Sequence, residues 1–158
     1  MTSRADRPAS LWILLLLGFG VLSTTVTVLG LAWLNVWLQF FGERADRGDY
    51  AVAAGITTGG LFFLTLASAT AWLARAPRWL QAGCWVLTGV MLLAAASCLA
   101  SAQDASLEPA DSHDSFGSGL LTAFSMPWSW VTLAAFLAAL AVRLDLSGGS
   151  ASRARREP

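Results

Sequence analysis

The side chains best suited to chemistry lie in one short segment, residues 103–118. It holds Asp104, Glu108, Asp111 and Asp114 around His113, the only histidine of the chain. Carboxylates beside an imidazole could bind a cation or act as the acid and base of an enzyme. The segment lacks the ligand spacing and central glycine of a calcium-binding loop, and acidic loops are commonly just solvated. We therefore predict no metal site in this segment. An enzyme that uses Asp111, His113 and Asp114 is kept as an alternative behind a scaffold subunit and a channel or carrier.

Two cysteines, Cys84 and Cys98, are the next candidates, because thiolates bind metals and act as nucleophiles. Fourteen positions along one helix would separate them by about 21 Å, whereas the Cα atoms of a disulfide lie within about 7 Å of each other. The two cysteines therefore cannot bridge each other. We interpret them as small apolar packing residues.

Other familiar reactive sites are missing from the sequence. One histidine in a loop excludes a haem held by histidines within a helix bundle, and a zinc site with several His or Cys ligands. Outside the segment of His113, no Ser or Cys lies beside a candidate base, and no phosphate-binding glycine loop follows a strand. The sequence predicts no enzymatic activity, no cofactor and no nucleic-acid partner.

Four long apolar stretches make up most of the chain. Residues 11–38, 50–74, 79–102 and 119–142 contain no Asp, Glu, Lys, Arg or His, and 56% of all residues are hydrophobic. Crossing a hydrocarbon core takes roughly 20 apolar residues in a helix. The sequence predicts an all-α integral membrane protein, an antiparallel four-helix transmembrane bundle within residues 11–142. The lipid bilayer is thus its first predicted partner.

The two ends flank this domain as polar segments. Residues 1–10 are predicted to be a cytoplasmic N-terminus, and residues 143–158, rich in Ser, Gly and Arg, a disordered cytoplasmic tail. A cleaved signal peptide is the alternative for the N-terminus. The first apolar run is far longer than a signal h-region and ends without a small-x-small cleavage site, so a retained anchor is the better interpretation.

The arginines predict the orientation. Eight lie on one side of the predicted spans, at positions 4, 7, 75, 78, 143, 153, 155 and 156, and two on the other, at 44 and 47. Basic loops stay in the cytoplasm, so both termini are predicted to be cytoplasmic. The chain has no lysine, and its many Ala, Leu and Gly residues suggest a GC-rich genome and hence a bacterial cell membrane.

Small and hydroxyl residues recur in each span at alternating steps of four and three, the spacing of left-handed helix packing. The four stripes include Gly20, Thr24 and Thr27; Ala51, Gly55, Thr58 and Thr65; Cys84, Thr88, Ala95 and Cys98; and Ser118, Thr122, Ser125, Ser129 and Thr132. In lipid, helices associate through close backbone approach and interhelical hydrogen bonds. The stripes are therefore interpreted as packing seams, with a narrow polar path for a small solute as the alternative.

Pro127 is the main irregularity within a span. It cannot donate to the carbonyl of Ala123 and should kink the fourth span, with Trp128 and Trp130 unusually deep beside it. A buried indole N–H needs an acceptor, which the freed carbonyl or a neighbouring hydroxyl could supply. The kink is interpreted as a packing feature. The functional alternative is a groove for a lipid, quinone or partner helix, formed by Pro127, Trp128 and Trp130 with Ser125 and Ser129.

Gly55 and Gly59 form a GxxxG motif, which permits close helix–helix contact within the chain or with a second copy. Together these patterns predict a small, non-enzymatic, multi-pass membrane protein. We expect an accessory, assembly or scaffold subunit that acts through helix contacts with a membrane-protein partner or with itself. The alternative is a channel or carrier for a small neutral or lipidic substrate.

Overall fold

The computed structural model describes residues 6–40, 47–104 and 112–154, and five helices account for all of these except the turn at 74–77 and Met126. Their bounds are α1 Asp6–Phe40, α2 Arg47–Leu73, α3 Arg78–Asp104, α4 Ser112–Ser125 and α5 Pro127–Ala154. Side chains are described over 11–31, 48–101 and 115–144. The catalytic alternative with Asp111, His113 and Asp114 falls outside the described side chains.

Four of the helices carry stretches long and apolar enough to cross a membrane. These are Leu11–Leu31 in α1, Gly48–Leu73 in α2, Arg78–Ser101 in α3 and Pro127–Leu144 in α5. The prediction of an all-helical chain with four apolar spans is therefore confirmed, by length and composition. The antiparallel bundle and the membrane that would surround it stay predictions.

Helix α2 is the central element, because it packs against α1, α3, α4 and α5. About 67% of its apolar stretch is buried, against 22% for α3. Its interior positions, such as Ala67, Ser68 and Ala71, are small, so neighbouring helices can approach closely on several sides. Helix α3, in contrast, has α2 as its one substantial neighbour among the described helices.

The fourth predicted span is two helices rather than one kinked helix. α4 ends at Ser125, Met126 forms a bend, and Pro127 is the first residue of α5. Proline is favoured at the first position of a helix, where the missing N–H would have no intrahelical acceptor. The break lets α4 pack on α2 while α5 packs on both α1 and α2.

These two helices also extend past the predicted span of 119–142. α4 begins at Ser112, and α5 continues to Ala154, so its backbone is helical where the sequence predicted a disordered tail. Once a helix is nucleated, each further residue adds a backbone hydrogen bond. Composition alone therefore placed the end of the helix too early.

The turn between α2 and α3 is compact and well defined. The amide of Ala76 donates to the carbonyl of Ala71 at 2.9 Å, and that of Arg75 to Trp72 at 3.1 Å, which is the Schellman pattern of helix termination. Arg75 lies at the left-handed position with φ 51°, and it is the only non-glycine residue with positive φ among those described. Pro77 then separates the two helices.

Candidate functional site at the helix break

The side chain of Ser129 makes a hydrogen bond across the break between α4 and α5. Pro127 leaves the carbonyl of Ala123 without its usual amide donor, and the Oγ of Ser129 donates to that carbonyl at 2.6 Å. The amide of Ser129 donates to the carbonyl of Met126 at 3.0 Å. Ser129 is buried, so its hydroxyl replaces inside the protein the hydrogen bond that proline removes.

Trp128 has no such partner. Its ring contacts Phe19 of α1 edge-on, with centroids 6.0 Å apart. Its Nε1 is buried without a hydrogen-bond acceptor among the described residues. The sequence offered the indole the freed carbonyl or a neighbouring hydroxyl, and the carbonyl accepts from Ser129 instead. A buried N–H without an acceptor lowers the stability of the fold by about 1–3 kcal/mol. Binding of a molecule that brings an acceptor to Nε1 would therefore be favourable.

A small cavity lies at this point between α1, α2 and the break. Its volume is about 10 Å³, and its lining includes Thr24, Gly60, Phe63, Trp128 and Ser129. That volume suits about one water molecule. The Oγ of Thr24, a residue 5% exposed, also lacks a partner among the described residues. Two unpaired polar groups thus border one cavity.

The sequence-predicted groove residues separate into two groups. Trp128 and Ser129 border the cavity, next to Pro127. Trp130 is 63% exposed, and Ser125 is exposed with its Oγ donating to the carbonyl of Thr122 in its own helix at 2.9 Å. Sequence reasoning did not identify the unpaired Thr24. Its signal was only its position in a stripe, which does not show whether a hydroxyl finds an acceptor.

Gly55 and Gly59 lie where α2 crosses α4. A Cβ at Gly55 would lie 2.9 Å from the amide nitrogen of Leu120 and 3.0 Å from the Cα of Gly119, and one at Gly59 would overlap the side chain of Ala123. A Cβ at Gly119 would in turn overlap the carbonyl of Val52. These glycines therefore permit backbone contact between two helices of the same chain.

Most hydroxyls of the stripes bond within their own helices. Thr58 donates to Ala54 at 2.7 Å, Thr65 to Leu61 at 2.8 Å and Thr132 to Trp128 at 3.0 Å. Among the described side chains, the hydroxyl of Thr88 on α3 also lies 3.2 Å from that of Ser68 on α2, a residue outside the stripes, and so connects two helices. A hydroxyl that already donates to its own backbone has less capacity to bind a solute.

Over the part of the chain that the structure describes, no group of three or more His, Cys, Asp or Glu side chains is placed to hold a metal ion. Cys84 and Cys98 are both free thiols on α3. No protein-family model, curated protein or solved structure matches the chain. Its geometry is therefore the basis for any functional conclusion.

Proposed function

We propose that the chain is a small, non-enzymatic, multi-pass protein of a bacterial cell membrane, with both termini in the cytoplasm, that acts as an accessory or scaffold subunit through helix contacts. The four apolar helices support the membrane location. The observation that carries the scaffold function is the one-sided packing of α3. A helix with one substantial neighbour leaves most of its surface free for lipid or for a partner helix.

The free side of α3 has the residue pattern of a packing seam. Six exposed residues follow one another at steps of four and three, and we call them the outer seam: Ala82, Val86, Gly89, Leu93, Ala96 and Ala100. Four of the six are Ala or Gly. A surface that only meets lipid has no need of small residues, whereas close approach of a second helix requires them.

Gly89 is the clearest case within the outer seam. A Cβ built at this position meets no atom within 4 Å, so no contact in the part of the chain that the structure describes requires a glycine there. Glycine within a helix is less favourable than alanine by about 0.5–1 kcal/mol. A partner helix that lies against α3 would explain the glycine, because the absence of a side chain permits close backbone approach.

The alternative function, a channel or carrier for a small neutral or lipidic substrate, has weaker support. The cavity at the break has room for about one water molecule and none for a lipid or quinone. The Oγ of Ser129, which such a path would use, already donates to the carbonyl of Ala123.

Native-membrane crosslinking with mass spectrometry tests the proposal through Gly89→Leu. The new side chain has open space in the monomer, so the fold should be retained, but it would block a helix docked on the outer seam. We expect the crosslinked partner or dimer to decrease at least tenfold. Recovery of wild-type protein only as a monomer would refute the scaffold function.

The matched control is Gly30→Leu on α1. Gly30 is also exposed, and a Cβ built there also meets no atom within 4 Å. This variant adds the same side chain at an apolar surface away from α3, so crosslinking should stay at the wild-type level. An equal loss in both variants would show that the outer seam is not the contact surface.

A further inference from the structure

Three arginines from the α2–α3 turn, the start of α3 and α5 meet around one open groove. Arg75 lies in the α2–α3 turn, Arg78 at the start of α3 and Arg143 in α5. Together with Trp72 and Gln81 they line a cavity of about 720 Å³, which we call the arginine groove. We infer that the arginine groove binds the phosphate of an anionic lipid headgroup.

The guanidinium of Arg143 is held in place at the edge of the groove. Its Nε donates to the carbonyl of Leu73, the last residue of α2, at 2.7 Å. This bond caps the negative end of α2 and connects α5 to the turn. It uses one N–H of the guanidinium, and the terminal N–H groups remain for an anion. Arginine is suited to this role because its planar fork binds phosphate oxygens in pairs.

Arg75 and Arg78 are both exposed. The first turn of α3, which contains Arg78 and Gln81, also borders the groove. A helix N-terminus carries partial positive charge, so it adds to the attraction for an anion. The groove therefore presents three full positive charges and one helix dipole to the same volume.

Arg75 occupies a backbone position that favours glycine. Its φ of 51° is in the left-handed region, where the Cβ of an L-residue lies too close to the following carbonyl oxygen. Glycine would end the helix with the same hydrogen bonds and without this strain. An arginine side chain is thus held at a position where the fold itself favours a residue with no side chain.

The position of the groove selects a lipid as the source of the phosphate. Trp72 borders it and Trp79 follows Arg78 at once, with the two side chains 69% and 74% exposed. Tryptophan beside arginine at the end of an apolar helix is typical of the headgroup level of a membrane. The inference rests on the proposed membrane location and is independent of any helix docked on α3.

Native mass spectrometry of the full-length protein, titrated with phosphatidylglycerol or phosphatidylcholine, tests this site. We expect phosphatidylglycerol to bind the wild type at least tenfold more tightly than phosphatidylcholine. Equal binding of the two lipids would overturn the inference. Inorganic phosphate binding as tightly as phosphatidylglycerol would overturn the assignment to a lipid.

The decisive variant is Arg75→Gly, alone and with Arg78→Gln. Arg75→Gly should raise the melting temperature because it relieves the left-handed strain, and yet it should weaken phosphatidylglycerol binding severalfold. The double variant should weaken binding by about tenfold or more. A stabilised Arg75→Gly protein with unchanged lipid binding would refute the site, since a folding defect could not explain that result.

The matched control removes the same charge from the same predicted side of the membrane, through Arg153→Gln with Arg155→Gln in the C-terminal segment. The preference of this control variant for phosphatidylglycerol over phosphatidylcholine should equal that of the wild type. A loss as large as that of the groove variants would indicate general attraction to an anionic surface and overturn the site. Wild-type protein that is recovered only as a monomer, but that keeps its preference for phosphatidylglycerol, would instead count against the scaffold function alone.

Discussion

At the scale of single residues, one hydroxyl group supplies the hydrogen bond that Pro127 removes from the carbonyl of Ala123. The sequence identified Pro127 as the irregularity and included Ser129 beside it, but it offered the freed carbonyl of Ala123, or a neighbouring hydroxyl, to a tryptophan. The structure has Ser129 as the donor, and Trp128 has no acceptor among the described residues. The choice depends on the phase of α5 relative to α4 and on the serine rotamer, neither of which a proline reveals.

We expect Ser129→Ala to lower the free energy of unfolding by about 1–3 kcal/mol, because the buried carbonyl of Ala123 loses its donor. Reversible unfolding in mixed detergent micelles, followed by circular dichroism, measures this. Ser125→Ala is the matched control, since its exposed hydroxyl bonds within its own helix, and we expect a change of less than about 0.5 kcal/mol. Equal effects in the two variants would contradict the role of Ser129.

At the scale of the elements, glycines determine how closely α2 and α4 approach. The GxxxG motif of Gly55 and Gly59 could be seen in the sequence, but its partner could not. The partner surface includes Gly119 on α4, which lies against the carbonyl of Val52. Helix α4 presents Gly119 and Ala123 to α2, whereas Ser118 and Ser125 of the predicted stripe are exposed. The break at Met126 separates the α4 and α5 parts of that stripe, so one uninterrupted period does not describe both.

Two glycines on α4 test this contact. We expect Gly119→Ala to destabilise the protein by about 1–3 kcal/mol, because the added Cβ would overlap the backbone of α2. Gly117→Ala should be neutral or stabilising by up to about 1 kcal/mol, since a Cβ there meets no atom within 4 Å. Thermal melting in detergent compares the two. The opposite order of stabilities would show that α4 packs through another face.

At the scale of the whole molecule, α2 packs against each of the other four helices, whereas in a simple bundle the contacts would be distributed evenly. The predicted number of apolar spans is confirmed, because each needs only length and composition. Which span becomes central was not predictable from hydrophobicity, since all four are apolar. The structure places α2 there, with small residues along most of its buried surface.

Orientation is the prediction that belongs to the whole molecule. In a Cys84→Ala, Cys98→Ala background, we expect Ser112→Cys to react with an impermeant maleimide in intact cells, because eight arginines favour the cytoplasm for the opposite side. Ala151→Cys should react only after permeabilisation. Labelling of Ala151→Cys in intact cells, with Ser112→Cys protected, would reverse the orientation.

The sequence by itself determined the helical class, the four apolar spans and the irregularity at Pro127. These properties depend on local composition and period, which a single chain displays directly. Only the tertiary structure decided that α2 is central, that α3 exposes a seam of small residues, and that Arg75, Arg78 and Arg143 share one groove. Those results depend on the rotation of each helix about its axis and on contacts between distant residues, which close packing determines and hydrophobic pattern alone does not.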